Sequence, residues 1–279
     1  DQVWSGGRPD PAGDTASGIA PLRAGNAVAE RAGWRARLTG SGKAWRNVVK
    51  YWSAHHHEPV PMRLYSYYRS SAAYRVRIAL ALKGLPYDYF AVNLLRAQQK
   101  SGDYMSLNPQ GLVPALETPD GTLIAQSMAI MEWLEETCPT PALLPEEPLE
   151  RAAVRSLANV ITCDIHPINN MAVTNYLQSP LGASPEQVSD WYAQWVDRGF
   201  EAIERGLHSH GGLCCFGDEP GLADACLIPQ VYNALRFEVD MGGYAKIMAV
   251  WEHCNGLDAF TQAHPDAQPD APDSGKTAI

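Results

Sequence analysis

The chain has 279 residues, 46% hydrophobic and 19% charged, a globular composition with room for one large domain or two ordinary ones. A formal net charge of −9 argues against a nucleic-acid-binding surface, and no run of about 18 apolar residues offers a membrane span. The six cysteines, Cys138, Cys163, Cys214, Cys215, Cys226 and Cys254, contain no Cys-x-x-Cys and one adjacent pair, which suits reduced thiols in a cytosolic protein.

Residues 1–61 differ in composition from the rest of the chain. They carry 8 Lys and Arg against 5 acids, whereas the remainder carries 14 against 26. Gly, Ala, Pro, Arg and Ser dominate there without a strong apolar period, although 27–38 has the composition of a short helix. Met62 stands directly before the first convincing strand, so 1–61 reads as a disordered or non-native leader. A transit peptide is disfavoured by Asp1, Asp10 and Asp14, and no secretory pattern is present. His55, His56 and His57 could bind a metal ion adventitiously, but a solvated loop before Pro59 and Pro61 is the favoured reading, and no metal site is implied.

From Met62 the pattern is regular. A strand over 63–67, a polar turn at Arg69, Ser70 and Ser71, and a helix from Ala72 to the Gly84 stop give strand, turn, helix. A helix mouth favours an anion, and a serine there can donate to a thiolate; read alone, Ser70 or Ser71 is only a cap. Next come a strand over 87–92, a polar connection over 93–106, a strand ending near Glu117, a hairpin at Asp120-Gly121 and a short strand at 123–124. Ser127 is expected to cap a helix to about Thr137, with Ile130, Met131 and Leu134 inward. The order is βαβ, connection, ββα.

Prolines at 139, 141, 145 and 148 read as a linker. Everything beyond reads as helix, over 151–164, 167–177, 185–207, 221–237 and 245–260. The third has Val188, Trp191, Trp195, Gly199, Ile203 and Leu207 at spacings of three and four, a buried stripe. The tail after His264 is expected to fray.

A small βαβ–ββα domain before an all-helical one resembles the glutathione transferases, and five local sequences point to their zeta class. These are 69–80 around Ser70, 108–114 before Pro114, Gln126-Ser127, 164–170 around His166, and Pro229-Gln230 with Arg236-Phe237. The resemblance spans about 62–269. It implies an α/β plus all-α fold: a thioredoxin-like domain with a mixed four-stranded sheet over 62–143, a helical domain over 149–265, and a flexible tail over 266–279. Two positions depart from the family pattern. Ala72 stands where the family often has Cys or Thr, and Gly221 opens a helix where Ser or Thr is usual, a tolerable N-cap change.

The resemblance implies a glutathione-dependent cis–trans isomerase of maleylacetoacetate in aromatic amino-acid catabolism, working as a cytoplasmic homodimer. A borrowed thiolate adds to the maleyl double bond, the bond rotates, and elimination gives the trans product. The protein must lower the thiol pKa, hold two carboxylates and stabilise the enolate. A drop of about two units from about 8.5 needs roughly 2.7 kcal/mol, the order of one charge-assisted hydrogen bond plus a helix mouth. Ser70 is assigned that task, with Ser71 as backup. Arg69, Arg75 and Arg236 are assigned to substrate carboxylates; read alone, each is turn charge or an ion-pair partner. Glutathione is expected along Ser70, Gln99, Val113, Pro114, Gln126, Ser127, His166 and Asn170. His166 and Asn170 share one helical face if the helix runs through Pro167. A Cys163–His166 nucleophile pair is disfavoured, since the other motifs already supply a nucleophile. The alternatives are maleylpyruvate as substrate, a broader transferase acting on haloacids or peroxides, and a non-catalytic binding module.

Overall fold

The computed structural model describes residues 61–210 and 212–272; the expectations for the leader, including the three histidines, lie outside them. Four strands form one mixed sheet in the order β2-β1-β3-β4. β1 (Met62–Ser66) runs parallel to β2 (Tyr87–Ala91) and antiparallel to β3 (Ala115–Glu117), which pairs antiparallel with β4 (Leu123–Ala125). Leu64 sits at the centre, opposite Tyr89 on one side and Leu116 on the other, and is fully buried. The parallel β1–β2 pair requires a crossover, and α1 (Ser71–Leu82) supplies it. Asp120 closes the β3–β4 hairpin by accepting from Thr118 Oγ1 and Thr122 N–H.

The polar connection is more structured than its composition suggests. It holds two 3₁₀ turns and α2 (Gly102–Leu107), capped by Ser101. α3 (Ser127–Thr137) buries Ile130, Met131 and Leu134 as expected, but Ser127 does not cap it. Gln126 holds the cap position and Ser127 is the first helical residue.

The helical region begins earlier than its sequence implies, because Pro148 is well suited to a first helical turn. α4 (Pro148–Asn159) passes into a π-helical segment (Val160–Ile165) and a 3₁₀ turn (His166–Ile168). The chain then breaks at Asn169-Asn170 before α5 (Met171–Gln178), so His166 and Asn170 do not share a helical face. α6 (Pro185–His210) buries Tyr192, Val196, Phe200, Ile203 and Leu207. Trp191 and Trp195, placed in that stripe by spacing, are only half-buried: they meet edge to face, and Trp191 Nε1 donates to the Ile168 carbonyl at 3.0 Å. α7 (Leu222–Arg236) is nearly all buried. The last expected helix is two, α8 (Ala245–Asn255) and α9 (Asp258–Ala263), separated at Gly256.

One continuous core runs from Leu64, Ile78 and Leu116 through Ile161 and Phe200 to Ile228, Ile247 and Phe260. The sheet layer and the helices therefore share their interior, with α1 packed against α3, α7 and α9. The linker is pinned by Lys83. Its Nζ donates to Glu135 Oε2 at 2.8 Å and to the carbonyls of Cys138 and Pro141, while Glu135 accepts from the N–H groups of Leu143 and Leu144. Gly221 is where this linker crosses α7, and a Cβ there would lie 2.7 Å from the Leu143 carbonyl oxygen. Asp224 instead secures the helix start by accepting from Gly221 N–H at 2.9 Å. Close approach explains why glycine replaces the usual hydroxyl residue. The segment after His264 does not fray within the described residues: Pro265 and Gln268 are buried, and Asp270 accepts two hydrogen bonds from the sheet layer.

Candidate active site

Ser70 is the N-cap of α1, with extended backbone (φ −67°, ψ 115°), and its Oγ accepts from Ala73 N–H at 3.2 Å. A capping hydroxyl spends a lone pair and keeps its proton to donate. Ser70 is half-buried, so capping and facing a ligand are compatible. The N–H groups of Ser71 and Ala72 belong to the same first turn and have no intrahelical partner. Ser71 is placed differently. It is buried, and its Oγ accepts from Asn233 Nδ2 of α7 at 2.5 Å. Its hydroxyl keeps its proton as that of Ser70 does, but burial against α7 sets it back from the exposed side of the mouth.

A second helix mouth lies at α3. Gln126 is exposed and adopts φ +72°, a left-handed value costly for a residue with a Cβ. Its Nε2 donates to Gln110 Oε1 at 2.9 Å. Below it, Ser127 Oγ accepts from Arg75 Nη1 at 3.3 Å. Arg75 is 2% exposed, and its Nε and Nη2 have no partner. Burial pushes its pKa down, and no carboxylate pairs with it among the described residues. So enclosed a guanidinium does not reach a substrate carboxylate directly. It lies beneath the α3 mouth and adds positive potential there.

Between the two mouths runs the loop before β3. Asn108 shapes it: Nδ2 donates to the Leu112 carbonyl at 2.8 Å and Oδ1 accepts from Gln110 N–H at 3.2 Å. The Val113–Pro114 peptide is cis, and neither Val113 N–H nor its carbonyl has a partner among the described residues. Gly111 has φ +60°, and a Cβ on it would lie 2.8 Å from the Gln99 carbonyl oxygen. Glycine thus lets this loop close on the 3₁₀ turn that carries Gln99. Gln99 Oε1 is buried without a partner.

From the helical region come His166, Asn170 and Arg236. Burial, and then the Arg75 charge, push the His166 pKa down to about 3, so its ring is neutral. Asn170 caps α5, its Oδ1 accepting from the N–H groups of Ala172 and Val173 at 2.9 and 3.1 Å. Its side-chain oxygen is therefore already engaged. Arg69 and Arg236 are exposed, each stacked on an aromatic ring, Tyr68 at 5.1 Å and Phe237 at 4.5 Å. Neither pairs with a carboxylate among the described residues. The Tyr232 phenol, whose pKa is raised by burial and then by Asp266, feels both guanidinium charges in the opposite direction. One residue on, Asn233 holds Ser71. Arg69 adjoins Ser70 in sequence, and both guanidinium groups act on Tyr232, the residue before Asn233.

A family model for the glutathione S-transferase N-terminal domain matches residues 69–137. A maleylacetoacetate isomerase from Pseudomonas aeruginosa is 49% identical over 213 residues, 76% of this chain and 99% of that one. The holo structure of a maleylpyruvate isomerase, described as a bacterial zeta-class glutathione transferase, is 47% identical with a TM-score of 0.74, covering 75% of this chain and 100% of that chain. This chain belongs to the zeta-class glutathione transferases. A maleylacetoacetate isomerase from Anaeromyxobacter dehalogenans, solved with glutathione in its active site, is 45% identical with a TM-score of 0.70 over 76% of this chain and 98% of that chain.

The zeta-class motifs locate Ser70, Val113, Gln126 and Ser127, but three residues around the mouth carry no motif. Asn233 and Tyr232 lie in a buried helix whose apolar pattern hides them. Asp270 lies in a Pro- and Asp-rich stretch with no local signal. Among the described residues, no helix is long and apolar enough to cross a membrane.

Proposed function

We propose that this chain is a cis–trans isomerase of maleylacetoacetate that uses glutathione. The observation that carries the reading is the half-buried Ser70 hydroxyl at the α1 mouth, directly after Arg69 in sequence, with Arg69 and Arg236 both exposed and paired with no carboxylate among the described residues. The residues present fit glutathione: the orphaned Gln99 Oε1, the unpaired Val113 backbone and the α3 mouth backed by Arg75 each await a polar group. Gln126 and Ser127 would hold the γ-glutamyl carboxylate, Val113 the cysteinyl backbone, and Gln99 the glycyl end, with His166 contributing from the helical side.

When bound, glutathione supplies a thiolate that adds reversibly to the maleyl double bond. Ser70 donates a hydrogen bond to that sulfur and lowers its pKa, aided by the first-turn N–H groups of α1. Arg69 and Arg236 hold the carboxylates of a dicarboxylate substrate, and their positive charge also favours negative charge developing on it. Neutral His166 neither repels these cations nor competes for the carboxylates. The active form is a homodimer in the cytoplasm.

The test is isomerisation of maleylacetoacetate beside maleylpyruvate, with and without glutathione, by wild type and Ser70→Ala. The reading expects glutathione-dependent turnover that falls about tenfold or more in the variant. Glutathione binding without turnover of either substrate would point to a broader transferase. Neither binding nor turnover would point to a binding module.

A further inference from the structure

The turn that carries Ser70 is held by residues far away in sequence, and the last described stretch of the chain supplies one of the holds. Tyr68 N–H donates to Asp270 Oδ2 at 3.1 Å, and the Tyr89 hydroxyl donates to Asp270 Oδ1 at 2.6 Å. The other end of the same peptide unit is also fixed. The Tyr67 carbonyl accepts from Ser70 N–H at 2.9 Å and from Arg77 Nη1 at 3.5 Å. Arg77 Nη2 donates to the Tyr68 carbonyl at 3.0 Å, and its Nε donates to the Ala263 carbonyl at the end of α9 at 3.0 Å. Gln268 Nε2 donates to the carbonyls of Gln262 and His264, which sets the path of the tail. Ala271 then packs against a small second core of Tyr67, Tyr68, Val92, Tyr104 and Val113. That core underlies both the serine turn and the loop expected to receive the cysteinyl backbone.

We propose that Asp270 is a positioning residue for the thiolate. Its carboxylate fixes the Tyr67–Tyr68 peptide and, through the turn closed by Ser70 N–H, the direction in which the Ser70 hydroxyl points. This role rests on Ser70 being the residue that stabilises the thiolate. Hydrogen bonds weaken steeply with misalignment, and a site group loses its effect when its supporting shell is loose. Arg77 holds only carbonyls of this turn. Asp270 alone holds the Tyr68 N–H, and Tyr89 anchors that carboxylate to β2. Without the carboxylate the N–H end of that peptide loses its partner while the Tyr67 carbonyl end stays held, so the peptide plane tilts more freely and the hydroxyl direction loosens with it.

The experiment uses the full chain with bound glutathione. The ultraviolet absorbance of its thiolate is titrated in wild type, Ser70→Ala, Asp270→Ala, Asp270→Asn and Tyr89→Phe, alongside glutathione affinity. Asp270→Ala is expected to raise the bound thiol pKa by about one unit, a roughly tenfold loss of thiolate at lower pH, with affinity changed less than about threefold. Asp270→Asn keeps an acceptor for Tyr68 N–H and restores most of the shift. A wild-type thiol pKa in Asp270→Ala, with a raised one in Ser70→Ala, overturns the proposal and leaves Asp270 a tail anchor. An unchanged pKa in Ser70→Ala brings down the Ser70 reading, and the proposal with it. Should Asp270→Ala fail to fold, Tyr89→Phe decides: a shift in the same direction of about twofold in thiolate supports the proposal, and no shift overturns it.

Discussion

Asn233 Nδ2 donates to Ser71 Oγ at 2.5 Å across 162 positions of sequence, and this buried bond fastens α7 to the mouth of α1. It sets the position of α7, which carries Arg236 one turn further along, against the helix start that Ser70 caps. Asn233→Ala would leave the Ser71 hydroxyl enclosed without its partner, a cost of about 1–3 kcal/mol. We expect thermal denaturation of the variant to show a clearly lower midpoint. Ser71→Ala combined with Asn233→Ala should cost less than the two single changes added together, because the second removes a group already orphaned.

Arg75 presents the opposite case, a buried cation without an acid. Arg75→Met should leave the denaturation midpoint unchanged or raise it, since an unpaired buried charge is replaced by a group that prefers the interior. Glutathione affinity should fall by about tenfold, the worth of roughly 1.4 kcal/mol, as the α3 mouth loses its positive backing. Calorimetric titration with glutathione checks this. An unchanged affinity would remove Arg75 from the binding site altogether.

Lys83 and Glu135 form a buried ion pair whose remaining hydrogen-bonding capacity is met by linker carbonyls and N–H groups. Breaking it from one side, by Glu135→Gln or Lys83→Met, should cost about 3–5 kcal/mol in chemical denaturation. The linker from Cys138 to Leu144 should become sensitive to protease in the same variants.

His166 gives a pH signature. Its folded pKa, about 3, lies below the ordinary value of 6.5. The unfolded chain therefore binds this proton more readily between those values. Its contribution to stability is complete above pH 6.5 and is lost as pH falls toward 3, at up to about 1.4 kcal/mol per pH unit. His166→Gln should flatten this limb of the stability profile. In the pH profile of isomerisation, His166 should add no limb between pH 5 and 8, so the same profile is expected from the variant.

The sequence by itself determined the element order, the mixed sheet and the positions of Ser70, Val113-Pro114 and Gln126-Ser127. These are local features: a period of two or 3.6, a glycine stop, an Asp-Gly hairpin, a short motif whose neighbours in sequence are its neighbours in space. Tertiary structure decided which polar groups those motifs meet. The motif does not separate Ser71 from Ser70, whereas burial against Asn233 does, and nothing local marks Arg75 as enclosed, whereas the fold leaves it 2% exposed with Nη1 on Ser127. The 167–177 helix broke at Asn170 because its side chain satisfies the first N–H groups of a new helix, a choice that sequence spacing leaves open. The tail after His264 carries no apolar period, yet one carboxylate meeting Tyr68 N–H and the Tyr89 hydroxyl orders it. Periodicity reports what is buried along one element. It does not report the long-range hydrogen bonds that aim a side chain, and those bonds decide the site.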